Sequence, residues 1–334
     1  MASVIGVLLR NGYVDVGDCV FIPTHISGNR WQKALLAASS LLRLAGLLVR
    51  GQVSLLHAHV ASDASFWRKS AFIVLARVFS CPVIFHLHSG EFPLFLSQRL
   101  NSWQRWFAHR VMRSSRCAFV LCHSAGTLLE QVGIGRVELM PNPIEIPRAV
   151  PPRLAGKDVL FLGRLDDKKG VYDLLRAFPA LLAEHPQARL VLAGEGEVDQ
   201  VRQLARELGI DAALELPGWI DAQQRTDLLA QAGAFVLPSR FEQMPMVVLE
   251  AMVAGTPVVA TKVGAVDEML EQGDCGVLVD VGSPTQLAAA LIEVLGGGAQ
   301  VEQRALRAQA RVRTVYAVDV VLATLRRYYE ELKR

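Results

Sequence analysis

Residues 241–261 read FEQMPMVVLEAMVAGTPVVAT, and the folding of this stretch decides the architecture of the chain's second half. The apolar run GAFVLP just before it, starting at Gly233, reads as a buried strand. Ser239 to Met244 reads as the loop at that strand's carboxyl end. Pro245 suits the first position of a helix, where its missing N–H costs nothing. Gly255 is a natural helix terminator, with Pro257 just beyond, and TPVVAT (256–261) is the next strand. Strand, loop, helix and strand in that order make a parallel unit with a crossover helix. Glu250 is the only charge between Met244 and Thr261. Carboxylates are rarely buried unless paired. Two readings stay open: Glu250 pairs with a buried Arg or Lys, or it serves as an acceptor for a ligand at the strand end. Glu242 in the loop and Glu250 in the second helical turn can both face that end, because helical side chains lean toward the N-terminus. The free N–H groups of Met246 and Val247 could meet a phosphate there.

The same alternation extends in both directions. After GAFVLP and TPVVAT comes GVLV (276–279); before them lie DVLFLG (158–163), ARLVLAG (188–194) and ALEL (213–216). Helical stretches such as VYDLLRAF and PTQLAAALIEVL separate them. The first half repeats the pattern with CVFIP (19–23), VSLLH (53–57), PVIFHLH (82–88) and CAFVLC (117–122). PNPIEIPRAVPP (141–152), with five prolines, suits a stiff linker. The expected fold is therefore α/β, two doubly wound domains with a cleft between them. The expected boundaries are residues 1–145, a linker over 146–157, a second domain over 158–315, and a helix over 316–334 returning to the first domain. Ligands in such sheets sit at the carboxyl ends of strands.

Composition narrows the partners. The chain has 334 residues, 51% of them hydrophobic, enough for two cores. Residues 1–150 hold 15 Lys and Arg against 7 Asp and Glu, a balance of +8, whereas residues 151–334 stand at −5. A basic first half suits an anionic lipid, a phosphate or a nucleic acid, or is simply a solvated surface. Five cysteines without a CxxC point to reduced thiols and the cytosol. Arg10 and Asp15 interrupt the first apolar run, which argues against a signal peptide. The apolar run Ala34 to Val49 is 16 residues long, short for a membrane span, and reads as a buried helix or one lying in a membrane surface.

Three further stretches carry chemistry. In GRLDDKKG (163–170) Arg164 and Lys169 could reach an anion at a strand end, or could be ordinary surface cations at a helix start. Gly163 and Gly194, the latter opening GEGE (194–197), are turn glycines after strands; the third glycine of a dinucleotide fingerprint is missing, which disfavours a hydride-transfer enzyme. HLHSGEF (86–92) ends a strand, with His86 and His88 on one face and His88 nearer the carboxyl end. No carboxylate–histidine spacing suits a metal, and none is expected.

In order, HLHSGE, GRLDDKKG, LAGEGE, PSRFEQMPMVVLEAMVAGTPVVAT and VGAVDEM resemble glycosyltransferase family four, the retaining enzymes of the GT-B type with two facing Rossmann-like domains. The match covers about residues 20–295. The resemblance implies a donor that is a nucleotide diphosphate sugar and no further cofactor. It implies that Glu242 contacts the donor sugar near the reacting carbon and that Glu250 holds the ribose hydroxyls. It implies that Arg164 and Lys169 neutralise the pyrophosphate in place of a metal, and that His88 faces the donor sugar. The acceptor would be a glycan or polyprenyl-linked, in bacterial surface polysaccharide synthesis. The protein would be cytoplasmic, peripheral on the inner membrane face, and would bind no nucleic acid. Two departures stand out. Gln243 and Pro245 replace glycines common in the family. MASVIGVLLRN already reads as the family's first helix, so the strand and glycine-rich turn before it are absent, and the first domain's sheet should lack one strand. A crippled nucleotide-sugar-binding protein is the alternative.

Overall fold

The computed structural model describes residues 2–15, 19–147 and 156–333. Most of the expected linker, residues 148–155, lies outside them. The chain divides into two compact units, one comprising the described residues up to Pro143 together with those from Val318, the other Ile144–Ala317.

The first unit opens with helices α1 (Ala2–Arg10) and α2 (Arg30–Val49). Then β1 (Leu56–Val60), α3 (Ala64–Val78), β2 (Val83–Leu87) and a single turn α4 (Phe92–Leu94) follow. They lead to α5 (Ser102–Arg113), β3 (Cys117–Val120), α6 (His123–Val132) and β4 (Val137–Leu139). The four strands form one parallel sheet in the order β1-β2-β3-β4. β2 and β3 are buried at every position, as strands covered on both faces must be, whereas β1 is partly exposed and lies at an edge.

The segment CVFIP does not form the expected strand; residues 19–23 are irregular. Strand formation needs a neighbour, and no described strand pairs with this segment. Between it and β1 lies a cavity of about 1010 Å³, lined mainly by apolar side chains. The cavity is partly open at the surface rather than enclosed.

α2 is not a buried helix. It starts on a reciprocal cap, in which Asn29 accepts from the Gln32 N–H and Gln32 accepts from the Asn29 N–H. Only Ser40, Leu44 and Leu48 are buried, and Trp31, Leu35, Leu42 and Val49 are each more than two-thirds exposed. At 20 residues it is long and apolar enough to cross a membrane by length and composition.

The second unit contains β5 (Val159–Leu162), α7 (Val171–Glu184), β6 (Leu190–Ala193), α8 (Val198–Glu207), β7 (Leu214–Gly218), α9 (Ala222–Gln231) and β8 (Ala234–Leu237). It continues through α10 (Met246–Ala254), β9 (Val258–Thr261), α11 (Val266–Met269), β10 (Val277–Val279), α12 (Pro284–Gly296) and α13 (Ala299–Arg311). Its six parallel strands run in the order β10-β9-β8-β5-β6-β7. Phe161, Leu174, Phe178, Leu192, Val236 and Leu291 pack in one core between the sheet and its helices. Each such side chain contributes about 1.5–3 kcal/mol by leaving water. Pro245 caps α10 from outside, in extended conformation, rather than filling its first position. Gly255 ends the helix at φ 72°, in the left-handed region. The last helix, α14 (Val318–Leu332), packs with the first unit: Tyr329 bonds Tyr13 at 2.6 Å, and Glu331 pairs with Arg136 at 2.8 Å.

Candidate functional site

The second unit's strand order places the site. From β5 the chain runs outward through β6 and β7, then returns to the other side of β5 for β8. Crossovers diverge there, and a crevice opens at the carboxyl ends of β5 and β8. The loop after β5 holds Arg164 and Lys169; the loop after β8 holds Glu242. Lys169 Nζ donates to Glu242 Oε1 at 2.5 Å across this crevice, although the two lie 73 residues apart. The carboxylate is only 10% exposed, so the pair is substantially desolvated. Ser239 donates to the same oxygen at 2.8 Å.

The loops approach closely because they are glycine-hinged. Gly170 has φ 70°, and a Cβ there would stand 1.9 Å from the Pro238 carbonyl oxygen. The Gly194 Cβ would meet the Gly163 carbonyl oxygen at 1.7 Å, so the turns after β5 and β6 touch backbone to backbone. A side chain at either position would push them apart.

Arg164 is not drawn into the pair. Its side chain is 75% exposed and contacts Asp166 at 3.2 Å. Two residues that sequence reasoning missed shape the site. Arg240, from the loop after β8, donates to Asp167 at 3.1 Å, tying that loop to the one after β5, and its Nη2 stands 3.0 Å from Asp173 Oδ2 on α7, an ion pair without a hydrogen bond. Arg225, on α9, brings its Nε to 3.1 Å from Glu250 Oε2. The contact is close but misaligned, and Oε2 is buried without a hydrogen bond. Burial raises the Glu250 pKa, and Arg225 offsets this in part. The signal for Arg225 was the lone carboxylate itself, which demanded a cation; only the fold could say which one. Glu250 thus has a cationic partner in Arg225 and one oxygen without a hydrogen bond. α10 starts without a side-chain cap, leaving the Met246 and Val247 N–H groups at its first turn for an anion.

His88 belongs to the first unit. Four histidines stand together there at the β1–β2 pair. His59 Nδ1 lies 2.8 Å from His88 Nε2, and His57 Nε2 lies 3.0 Å from His86 Nδ1. His57 also meets the Tyr329 hydroxyl at 2.5 Å. Burial lowers the His57 pKa to about 3 and holds those of His59, His86 and His88 well below the usual value. All four are neutral at pH 7. His57, His59 and His86 offer ring nitrogens within 4.8 Å of one another, a group that could hold a metal, contrary to expectation. However, the His57 and His59 rings stack at 4.3 Å and 25°. Their in-plane lone pairs do not converge on one point without a ring turning.

Comparisons with known proteins bear on the family and the fold. A family model described as glycosyl transferases group 1 matches residues 144–313, and one described as glycosyl transferase 4-like domain matches residues 10–143. Glycogen synthase of Mycobacterium tuberculosis is 30% identical over 274 residues, 78% of this chain and 66% of that protein, just under two thirds of its length. Phosphatidyl-myo-inositol mannosyltransferase of Mycobacterium leprae is 29% identical over 331 residues, 95% of this chain and 83% of that protein. Among solved structures, Anabaena HepE in complex with UDP-glucose superposes with a TM-score of 0.74 at 19% identity, covering 97% of this chain and 89% of that one. At that identity the likeness shows the fold alone, and the fold is the two-domain GT-B α/β type.

Proposed function

The chain belongs to the family of glycosyl transferases group 1, and from that premise we propose that it moves a sugar, with retention of configuration, from a nucleotide diphosphate donor to a glycan or lipid-linked acceptor. The observation that carries the reading is the Lys169–Glu242 pair across the β5–β8 crevice, with Glu250 holding an unsatisfied oxygen on the adjoining helix. As the sugar's bond to the diphosphate breaks, negative charge grows on the leaving oxygens. Lys169, together with the exposed Arg164, answers that charge. Two cations in this position do the work that a metal ion does elsewhere. Glu242 then lies against the sugar near its reacting carbon. Glu250 accepts hydrogen bonds from the ribose hydroxyls, which satisfies Oε2. The Met246 and Val247 N–H groups and the close turns at Gly163 and Gly194 meet the phosphates. His88 keeps the role the resemblance gives it, and His88→Ala tests it.

The solved relative HepE binds UDP-glucose, so UDP-sugars head the donor panel. The setting proposed is bacterial surface polysaccharide synthesis at the inner membrane face. In its favour, residues 19–62 contain no Asp or Glu, and α2 exposes Trp31, Leu35, Leu42 and Val49 beside Lys33, Arg43 and Arg50. Such a helix suits a bilayer interface.

A thermal-shift panel of UDP-, GDP- and ADP-sugars, followed by release of the nucleotide diphosphate with acceptor lipid extracts, tests the proposal. One donor should stabilise the protein and turn over. Absence of any shift across the panel rejects it. Binding without turnover favours a second reading, a nucleotide-sugar-binding protein that does not transfer. The wide cavity beside β1 in the first unit is what keeps that reading in play.

A further inference from the structure

Lys169 ends a short turn, Asp167–Lys169, between β5 and α7. A lysine is a point charge on a long flexible stem, so where it reaches depends on how its turn is held. Glu242 is fixed from its own loop: Ser239, fully buried, donates to Oε1 at 2.8 Å, and the Ser239 carbonyl accepts from the Thr261 hydroxyl at 2.5 Å. The turn is held from within by Asp166, whose Oδ1 accepts from the Lys169 N–H at 3.0 Å. Arg240, from the loop after β8, holds it from outside. The Arg240 N–H donates to the Lys168 carbonyl at 2.8 Å, its Nε to the Asp167 carbonyl at 3.1 Å, and its Nη2 to Asp167 Oδ1 at 3.1 Å. Backbone and fork of one arginine thus grip consecutive residues of the turn.

The guanidinium is itself seated. Its Nη2 stands 3.0 Å from Asp173 Oδ2 in the first turn of α7, and Asp173 is only 6% exposed. A buried carboxylate needs a cation beside it. On another side Gly282, at φ 72° after β10, leaves room: a Cβ there would stand 3.3 Å from Arg240 Nη1. The charge of Asp173 accounts for a cation in this place, and Arg176 supplies a second one at 3.5 Å from Oδ1. That charge does not account for the donors spent on Asp167 and Lys168. They need the planar fork of an arginine.

We infer that Arg240 is a positioning residue for Lys169: it clips the turn Asp167–Lys169 to the loop after β8 and so sets where Lys169 Nζ stands against Glu242, 2.5 Å away. The inference rests on the role proposed above for Lys169. A misplacement of about 1 Å at a group that acts on the transition state can cost about 100-fold in rate. Arg240 acts through Lys169, so its effect on the rate exists only while Lys169 is present.

The test is a double-mutant cycle of Arg240→Met and Lys169→Met, read as kcat and donor KM with the donor found in the panel and normalised to the folded fraction. Arg240→Met alone should lower kcat by about 10- to 100-fold and leave KM within about threefold. In the Lys169→Met background the same substitution should cost less than about threefold. Arg240→Lys, which keeps a charge beside Asp173 and loses the fork, should restore the melting midpoint but not kcat. Equal losses in both backgrounds, or kcat restored by Arg240→Lys together with the midpoint, overturn the inference, because Arg240 then serves only the charge of Asp173. If Arg240→Met does not fold, Arg240→Met with Asp173→Asn removes the buried charge as well and is read in its place. Acetylation of the Lys169 amine by acetic anhydride needs no donor. Measured against the exposed Lys157, it should rise several-fold in Arg240→Met, and unchanged labelling overturns the inference. If the unsubstituted protein turns over no donor, the sugar-transfer reading fails, and the labelling still decides whether Arg240 positions Lys169.

Discussion

Acidification should destabilise the first unit between about pH 6.5 and pH 3. His57, His59, His86 and His88 are held neutral by burial, His57 with a pKa of about 3. In the unfolded chain each has a pKa of about 6.5. Below that value the unfolded state binds protons that the folded state refuses. Stability is therefore whole above about pH 6.5 and falls as pH drops through the window from 6.5 toward 3. For a histidine with these two values the loss at pH 5 is about 2 kcal/mol. His59, His86 and His88 are shifted in the same direction by the same burial, so they add to that loss. Urea denaturation at pH 7, 6 and 5, followed by tryptophan fluorescence, reads this directly. Four of the five tryptophans, Trp31, Trp67, Trp103 and Trp106, lie in the first unit, so the signal reports mainly on it. His59→Asn should flatten the dependence, because one ring that refuses a proton in the folded state is removed. An unfolding free energy that stays level from pH 7 to pH 5 would refute the reasoning, because it requires the four rings to take up protons in the folded state.

Three further outcomes are expected. Glu250→Gln should weaken nucleotide binding by about 1.5–3 kcal/mol, since a charged acceptor is lost, with the fold kept; calorimetry with the donor found in the panel checks it, and unaltered affinity would remove Glu250 from the ribose. Arg164→Ala and Lys169→Ala should each slow transfer by about 100-fold or more, since they act on charge that appears in the transition state; near-normal turnover in both would refute the diphosphate assignment. Vesicles containing anionic lipid should bind the protein, and the binding should weaken steeply between 0.01 and 0.15 M salt as the Debye length shrinks from about 30 to about 8 Å; substituting Trp31 and Leu35 by Ser should lower it, and salt-independent or absent binding counts against α2 as the contact.

The alternation of apolar runs and helical stretches was enough to specify parallel sheets, because a strand covered on both faces must be apolar throughout and its crossover must be a helix. Pro245 and Gly255 bracketed α10 to within one residue, since caps and terminators act locally. Glu250 was visible as an anomaly from its neighbours alone. Its partner was not. Arg225 lies 25 positions away on another helix, and nothing in the sequence distinguishes it from other surface arginines. Arg240 was likewise silent until the fold brought Asp167 and Asp173 to it. CVFIP shows the same limit from the other side. Its residues favour a strand, but a strand is made by a neighbour's donors and acceptors, and no described strand pairs with it. Local chemistry fixes what a segment prefers. Which preferences are realised, and which side chains meet across tens of residues, depends on contacts that exist only once the chain has folded.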